Sequence, residues 1–292
     1  MPLDYTDDLR LAHVMADDAD SVSQSRYKAL DLHVMTKPDL TPVTDADRSV
    51  EEGIRRTLSR ARPRDAVLGE ETGSTGHSQR RWVVDPIDGT KNFVRGVPVW
   101  ATLISLMVDE EVVVGVVSAP MLNRRWWAMT GGGAWTGKSL LRASACQVSD
   151  VSRIEDASLA YSSLHGWDER GRLDDFLSLS RPCWRTRAYG DFWSYMLVAE
   201  GAVDIATEPH LELHDMAALD VIVREAGGYF TSLDGEPGPT GGSALATNGK
   251  LHDQALAFLG SVDDESRHAQ RGGGSVHDLS ERRRQSEESS EE

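Results

Sequence analysis

Apolar positions along this chain recur with two periods, and their alternation sets the expected architecture. Residues 7 to 29 space Leu9, Ala12, Val14, Met15, Ala19 and Val22 along one helical face, and Ala46 to Arg60 read as a second helix opening after Thr44 and Asp45. AVLGEE then reads as a short buried strand ending in acid, and WVVD as another. From Trp100 to Ala128 the runs ATLISLMV, EVVVGVVSA and RRWWAM are parted by Asp109/Glu110 and by Pro120/Asn123, the pattern of an antiparallel meander that TGGGAW continues. The second half predicts a strand at Ser158 to Ser162, a helix near 172 to 180, a helix in FWSYMLVAEGA and a strand in VDIATE. A helix from Asp215 to Ala226, closed by Gly227 and Gly228, and strands in YFTSL and SALATN complete it. The sum is a layered α/β protein with mixed sheets.

Composition changes this picture at one place. Beyond residue 260 the chain turns to Gly, Ser and charge, which cannot offset the entropy of ordering, so 261–292 is expected to be a disordered acidic tail. The 39% hydrophobic content of the 292 residues is enough for a sizeable core in residues 1–260, as one domain with an N-terminal α+β part (about 1–150) and a C-terminal α/β part (151–260). A net charge of −16 argues against nucleic acid or an anionic membrane as the main partner. The acidic start MPLDYTDDLR has no export signal, and the two cysteines, Cys146 and Cys183, suit a reducing compartment, so the expected location is the cytoplasm.

The chemistry concentrates in RWVVDPIDGTKNF. Asp85 ends a strand, where open α/β sheets keep their ligands, and Asp88 follows after a proline-stiffened link. Glu70 and Glu71 end another strand, and Asp215 opens a helix. Two carboxylates so close repel unless a cation lies between them, and hard oxygen donors select Mg²⁺ or Mn²⁺ over zinc. An acidic protein handling phosphate needs such cations as a bridge. A glycine at 89 lets its own N–H and that of Thr90 approach a phosphate oxygen.

GEE (69–71), DPIDGT (85–90) and HDMAALDVIVREAGG (214–228) together resemble the inositol monophosphatase superfamily over residues 7 to 258. The resemblance implies the αβαβα sandwich shared with fructose-1,6-bisphosphatases and a Mg²⁺-dependent phosphomonoesterase with two or three ions, Mn²⁺ being an alternative. By resemblance Glu70, Asp85 and the Ile87 carbonyl hold one metal, while Asp85, Asp88 and Asp215 hold a second. Two ions about 4 Å apart would grip both sides of an in-line displacement at phosphorus. Thr90 and Glu70 would take the proton of the attacking water, with Asp47 behind it and Lys37 on the preceding loop.

Departures from the inositol pattern bear on substrate. His214 replaces a tryptophan, Leu219 a glycine, and RAYGDFWSY stands where a small GTAA-like segment is usual. Asp191 is therefore read two ways, as a substrate carboxylate and as the N-cap of the following helix. Glu208 matches a family position that contacts substrate. Arg187 either meets substrate or pairs with an acid, and Trp100 or Trp193 could wall an imidazole or belong to the core. Two acids beyond the metal set suit a cationic substrate. With TKPDLTPVTDADR, DPIDGTKNFVRGVPVWA and RRWWA they resemble the actinobacterial histidinol-phosphatase branch, which implies L-histidinol phosphate as substrate in L-histidine biosynthesis. An inositol or related sugar phosphate is the alternative. The resemblance implies a homodimer, as relatives of this kind often are, and the apolar meander at Trp126 and Trp127 is expected to serve either an interface or the core.

Overall fold

A computed structural model describes residues 4–38 and 41–260. The tail expected to be disordered lies outside the described residues. α1 (Thr6–Arg26) and α2 (Asp45–Ala61) lead, with a short hairpin of β1 (Val34–Thr36) and β2 (Pro42–Thr44) between them. α2 starts where Thr44 and Asp47 satisfy each other's backbone N–H groups in a reciprocal cap.

Eight strands follow in one sheet: β3 (Ala66–Gly69), β4 (Gly73–Thr75), β5 (Arg80–Asp88), β6 (Ala101–Val108), β7 (Glu111–Ala119), β8 (Arg124–Met129), β9 (Ala134–Ser139) and β10 (Arg142–Ala145). The order is β10-β9-β8-β7-β6-β5-β3-β4, antiparallel except where β3 and β5 run parallel. The short helix α3 (Thr90–Arg95) leaves the end of β5. The second sheet has the order β12-β11-β13-β15-β14, from β11 (Ser158–Ala160), β12 (Arg185–Arg187), β13 (Ile205–Glu208), β14 (Tyr229–Thr231) and β15 (Ala244–Thr247). Its helices are α4 (Leu164–Glu169), α5 (Leu173–Ser180), α6 (Asp191–Ala199), α7 (Leu213–Glu225) and α8 (His252–Leu259).

Side-chain alternation explains the layering. Trp82, Val84, Ile104, Leu106, Val114 and Val116 face α1 and α2, while Val83, Leu103 and Val117 face α6 and α7. Both faces of the large sheet are covered, which is why its strands read as continuous apolar runs. A third cluster packs Leu159, Ile205 and Leu245 of the small sheet against Phe176 and Leu179 of α5 and Leu259 of α8. The layers are thus α1/α2, large sheet, α6/α7, small sheet and α5/α8, the expected αβαβα sandwich. Gly115 lets the central helix lie this close: a Cβ there would sit 2.5 Å from Val221 Cγ1 and 2.8 Å from the Ala218 carbonyl oxygen.

One expectation needs correction here, and one open alternative is resolved. Val14 is 53% exposed, because it lies off the stripe formed by Leu9, Ala12, Met15, Ala16 and Ala19. Trp126 and Trp127 are buried within the chain, one on each face of β8, so they are core and offer no surface to a second copy.

Candidate active site

The site begins with an irregularity in β5. Asp85 pairs with Leu103 of β6 and Asp88 with Ala101, so two residues, Pro86 and Ile87, stand opposite Thr102 alone. In a regular strand residues three apart point to opposite faces; the extra residue of a bulge turns both aspartates to one side. The bulge is held from below by Thr102, whose hydroxyl donates to the Pro86 carbonyl (2.8 Å), and by the Ile87 N–H, which donates to Asp85 Oδ1 (3.0 Å).

α7 brings the third carboxylate. It starts at Leu213, two residues ahead of the expected start, with Glu212 as its N-cap, and Asp215 in the first turn accepts from the Glu212 N–H (2.8 Å). One carboxylate oxygen each of Asp85, Asp88 and Asp215 lie within 4.8 Å of one another. Burial, then repulsion from Glu70, Asp88 and Asp215, raises Asp85 well above the ordinary carboxylate range. Burial, then Asp191 and Asp215, does the same to Asp88. A set of oxygen donors this crowded and this disfavoured as anions fits a hard divalent cation, which removes the repulsion it would otherwise suffer.

Around this cluster each expected catalytic residue has a defined place. Lys37 Nζ lies 2.6 Å from Glu70 Oε1 and 2.6 Å from Glu71 Oε1, tying the β1–β2 hairpin to the end of β3. Thr90 Oγ1 is 2.9 Å from the Ile87 carbonyl oxygen and 3.3 Å from Asp47 Oδ1, and its one proton can go to either. Asp47 is fully buried, accepts from the Thr44 N–H (2.8 Å) and is pushed up to about 6, chiefly by burial.

The carboxylates beyond the cluster come from the second sheet. Glu208 ends β13, is buried, and is pushed up to about 8 by burial and then by Asp191 and Asp215; Tyr195 and Ser162 lie beside it, but the Tyr195 hydroxyl and Glu208 Oε1 have no hydrogen-bond partner among the described residues. Asp191 is pushed up to about 6, again by burial first. It does not cap α6: Gly190 occupies the N-cap, Asp191 itself has a φ of +48°, and the Phe192 N–H is satisfied by Asp88 Oδ2 across the site (2.8 Å). Asp191 Oδ2 instead accepts from Asn92 Nδ2 (3.0 Å). A Cβ at Gly89 would lie 3.2 Å from that oxygen, and Gly89 has a φ of +81°, so only glycine suits the turn.

The remaining expected residues divide. Arg187 is exposed on the edge strand β12 and donates to the Thr186 carbonyl (2.7 Å). Trp100 is fully buried against Phe93 and Tyr27, which makes it core and not an imidazole wall. Trp193 is half-buried and packs edge-on to Tyr189, with centroids 5.5 Å apart. His214, in place of tryptophan, sets Nε2 3.6 Å from Asp215 Oδ1. Asn92, Ser162 and Tyr195 were not singled out by sequence reasoning; Asn92 alone had a signal, lying two residues beyond DPIDGT.

An αβαβα sandwich with a cluster of carboxylates at a bulged strand end defines a class, and comparison places the chain within it. Residues 6–262 match the model of the inositol monophosphatase family, and the chain belongs to that family. It is 64% identical over 260 residues to a histidinol-phosphatase of Streptomyces coelicolor, spanning 88% of this chain and 98% of that protein. It is 60% identical over 254 residues to a histidinol-phosphatase of Mycobacterium tuberculosis, spanning 87% and 98%. Among solved structures, the extragenic suppressor protein SuhB of Bartonella henselae superposes with a TM-score of 0.81 at 29% identity, over 88% of this chain and all of that one. Among the described residues no helix is long and apolar enough to cross a membrane.

Proposed function

We propose that this chain is a histidinol-phosphatase, hydrolysing L-histidinol phosphate to L-histidinol and phosphate in L-histidine biosynthesis. The observation that carries the reading is a pair of carboxylates, the half-buried Asp191 and the buried Glu208, beside a three-carboxylate cluster. A neutral polyol would offer them hydrogen bonds but no charge. A protonated amine offsets the cost of ionising them in a buried site and gains a charge-assisted hydrogen bond. High identity to two proteins named histidinol-phosphatase supports the same substrate.

Glu70, Asp85 and the Ile87 carbonyl would hold one Mg²⁺, and Asp85, Asp88 and Asp215 another, with Mn²⁺ able to substitute and a third ion allowed. When bound, the cations neutralise phosphate charge and make a water acidic enough to attack near neutral pH. Thr90 takes the water's proton through its hydroxyl, which passes its own to Asp47 Oδ1 at 3.3 Å. Glu70, kept in place by Lys37, orients the water for in-line attack. Gly89 and Thr90 present their N–H groups to the phosphate. Arg187 is free to reach substrate from the edge of the small sheet. Residues 1–260 act as the phosphatase unit, with parts meeting near residue 150, and the protein works as a cytoplasmic homodimer through a surface other than Trp126 and Trp127. The test is phosphate release from L-histidinol phosphate by protein stripped with a chelator. Turnover should vanish and return with Mg²⁺; undiminished turnover in the chelator, or none with Mg²⁺, would overturn the proposal.

A further inference from the structure

Asp191 has a carboxylate position that neither its helix nor its own backbone provides. The residue stands at a φ of +48° just after Gly190, and the helix N–H it might have capped goes to Asp88. One contact fixes Oδ2: the amide of Asn92, in the first turn of α3, gives hydrogen bonds of 3.0 Å to Asp191 Oδ2 and 2.9 Å to the Val99 carbonyl oxygen. Gly89 keeps the space beside that oxygen open. An amide nitrogen has two protons, and these two contacts use both. A carboxylate offers about four acceptor positions, so after Asn92 it retains capacity for a further donor.

We propose that Asn92 is a positioning residue for substrate recognition: it holds one oxygen of Asp191 against the metal-binding turn so that the remaining acceptor positions meet the substrate ammonium. The link is reciprocal, since Asp88 of that turn accepts from Phe192, the neighbour of Asp191. The turn that handles phosphate and the helix that carries recognition are thereby tied to each other by two hydrogen bonds. The proposal rests on the reading of Asp191 as the ammonium acceptor.

The test compares Asn92→Ala, Asp191→Ala and the double variant in Mg²⁺-loaded protein, on L-histidinol phosphate and on p-nitrophenyl phosphate, which has no amine. Asn92→Ala should lower kcat/KM for L-histidinol phosphate by about 10-fold or more, mainly through KM, while p-nitrophenyl phosphate changes by less than about 3-fold. The inhibition constant of L-histidinol should rise by a similar factor, and that of inorganic phosphate should not. Adding Asn92→Ala to Asp191→Ala should cost little more, because one acts through the other. Equal losses on both substrates, or full additivity in the double variant, would overturn the positioning role. A selective loss in Asp191→Ala without one in Asn92→Ala sinks this inference alone, whereas an unselective Asp191→Ala sinks the reading beneath it. Asn92→Asp, equal in volume and repelling Asp191, gives the same comparison if the alanine variant is unstable.

Discussion

Replacing Asp88 by Asn should move stability and activity in opposite directions. The substitution keeps the volume, and the amide oxygen can still accept from the Phe192 N–H that Asp88 Oδ2 now takes at 2.8 Å. What it removes is one negative charge from three carboxylates whose oxygens lie within 4.8 Å. At that distance and an effective dielectric of about 20, each pair of full charges repels by about 3.5 kcal/mol. The cluster escapes part of this by holding protons, as the raised Asp85 and Asp88 indicate, so the relief in metal-free protein should be about 1 to 3 kcal/mol. For a domain of this size that corresponds to a rise in Tm of roughly 2 to 10 °C. With Mg²⁺ the sign reverses, because the cation needs the charge, and turnover should fall to background. Thermal melts in chelator and in Mg²⁺, alongside phosphate release, read both effects. A variant that melts lower than the parent in chelator while keeping near-normal turnover would refute the assignment of this cluster as a metal centre.

Other outcomes follow from the same geometry. Thr90→Ala removes the hydroxyl between Ile87 and Asp47 and should lower kcat about 10²-fold or more with little change in Mg²⁺ affinity by calorimetry; an unchanged kcat removes Thr90 from the proton path. His13 is buried beside Trp127, accepts at Nδ1 from Arg125, and is held down to about 4 by burial and then Arg125, against Asp17, with Asp20 on the far side of the guanidinium. Its folded value lies below the unfolded 6.5, so the unfolded chain gains a proton first as pH falls, and stability should drop by about 3 kcal/mol between pH 6.5 and 4. His13→Gln should flatten that part of the stability profile by denaturant titration, and an unaltered slope would contradict the burial of a neutral imidazole. Gly115→Ala forces a methyl against Val221 and the Ala218 carbonyl and should cost about 1 to 3 kcal/mol in the same titration; a neutral change would mean that α7 can shift away.

The sequence was most legible where local and tertiary demands coincide. α2 announces itself through Thr44 and Asp47, and the meander through apolar runs long enough to be buried on both faces. DPIDGT pointed to the carboxylate cluster because a proline-linked pair of acids has no structural purpose of its own. Three-residue strands such as β4 and β12 were not read, since they have too few residues to show a period. Val14 was assigned inward because loose apolar spacing does not fix the phase of a helix, and only packing against the sheet decides which stripe is buried. The role of Asp191 was misread in one respect for a related reason. A carboxylate beside a helix start suggests a cap, but Asp88, 104 residues away from Phe192, takes that N–H, and Asn92, 99 residues away from Asp191, takes the carboxylate. Partners that far apart in sequence are brought together only by the stacking of the two sheets around α6 and α7.

Substrate choice is the central claim, and the ratio of two specificity constants tests it most directly. With Mg²⁺ present, kcat/KM is measured for L-histidinol phosphate and for inositol 1-phosphate on the same protein preparation, with fructose 1,6-bisphosphate and adenosine 3′,5′-bisphosphate as further competitors. Recognition of the amine by Asp191 and Glu208, at about 1.5 to 3 kcal/mol for each charge-assisted hydrogen bond, should favour L-histidinol phosphate by at least about 10-fold. Equal constants, or a preference for inositol 1-phosphate, would contradict the histidinol assignment and leave a phosphatase of the inositol monophosphatase family with a different substrate.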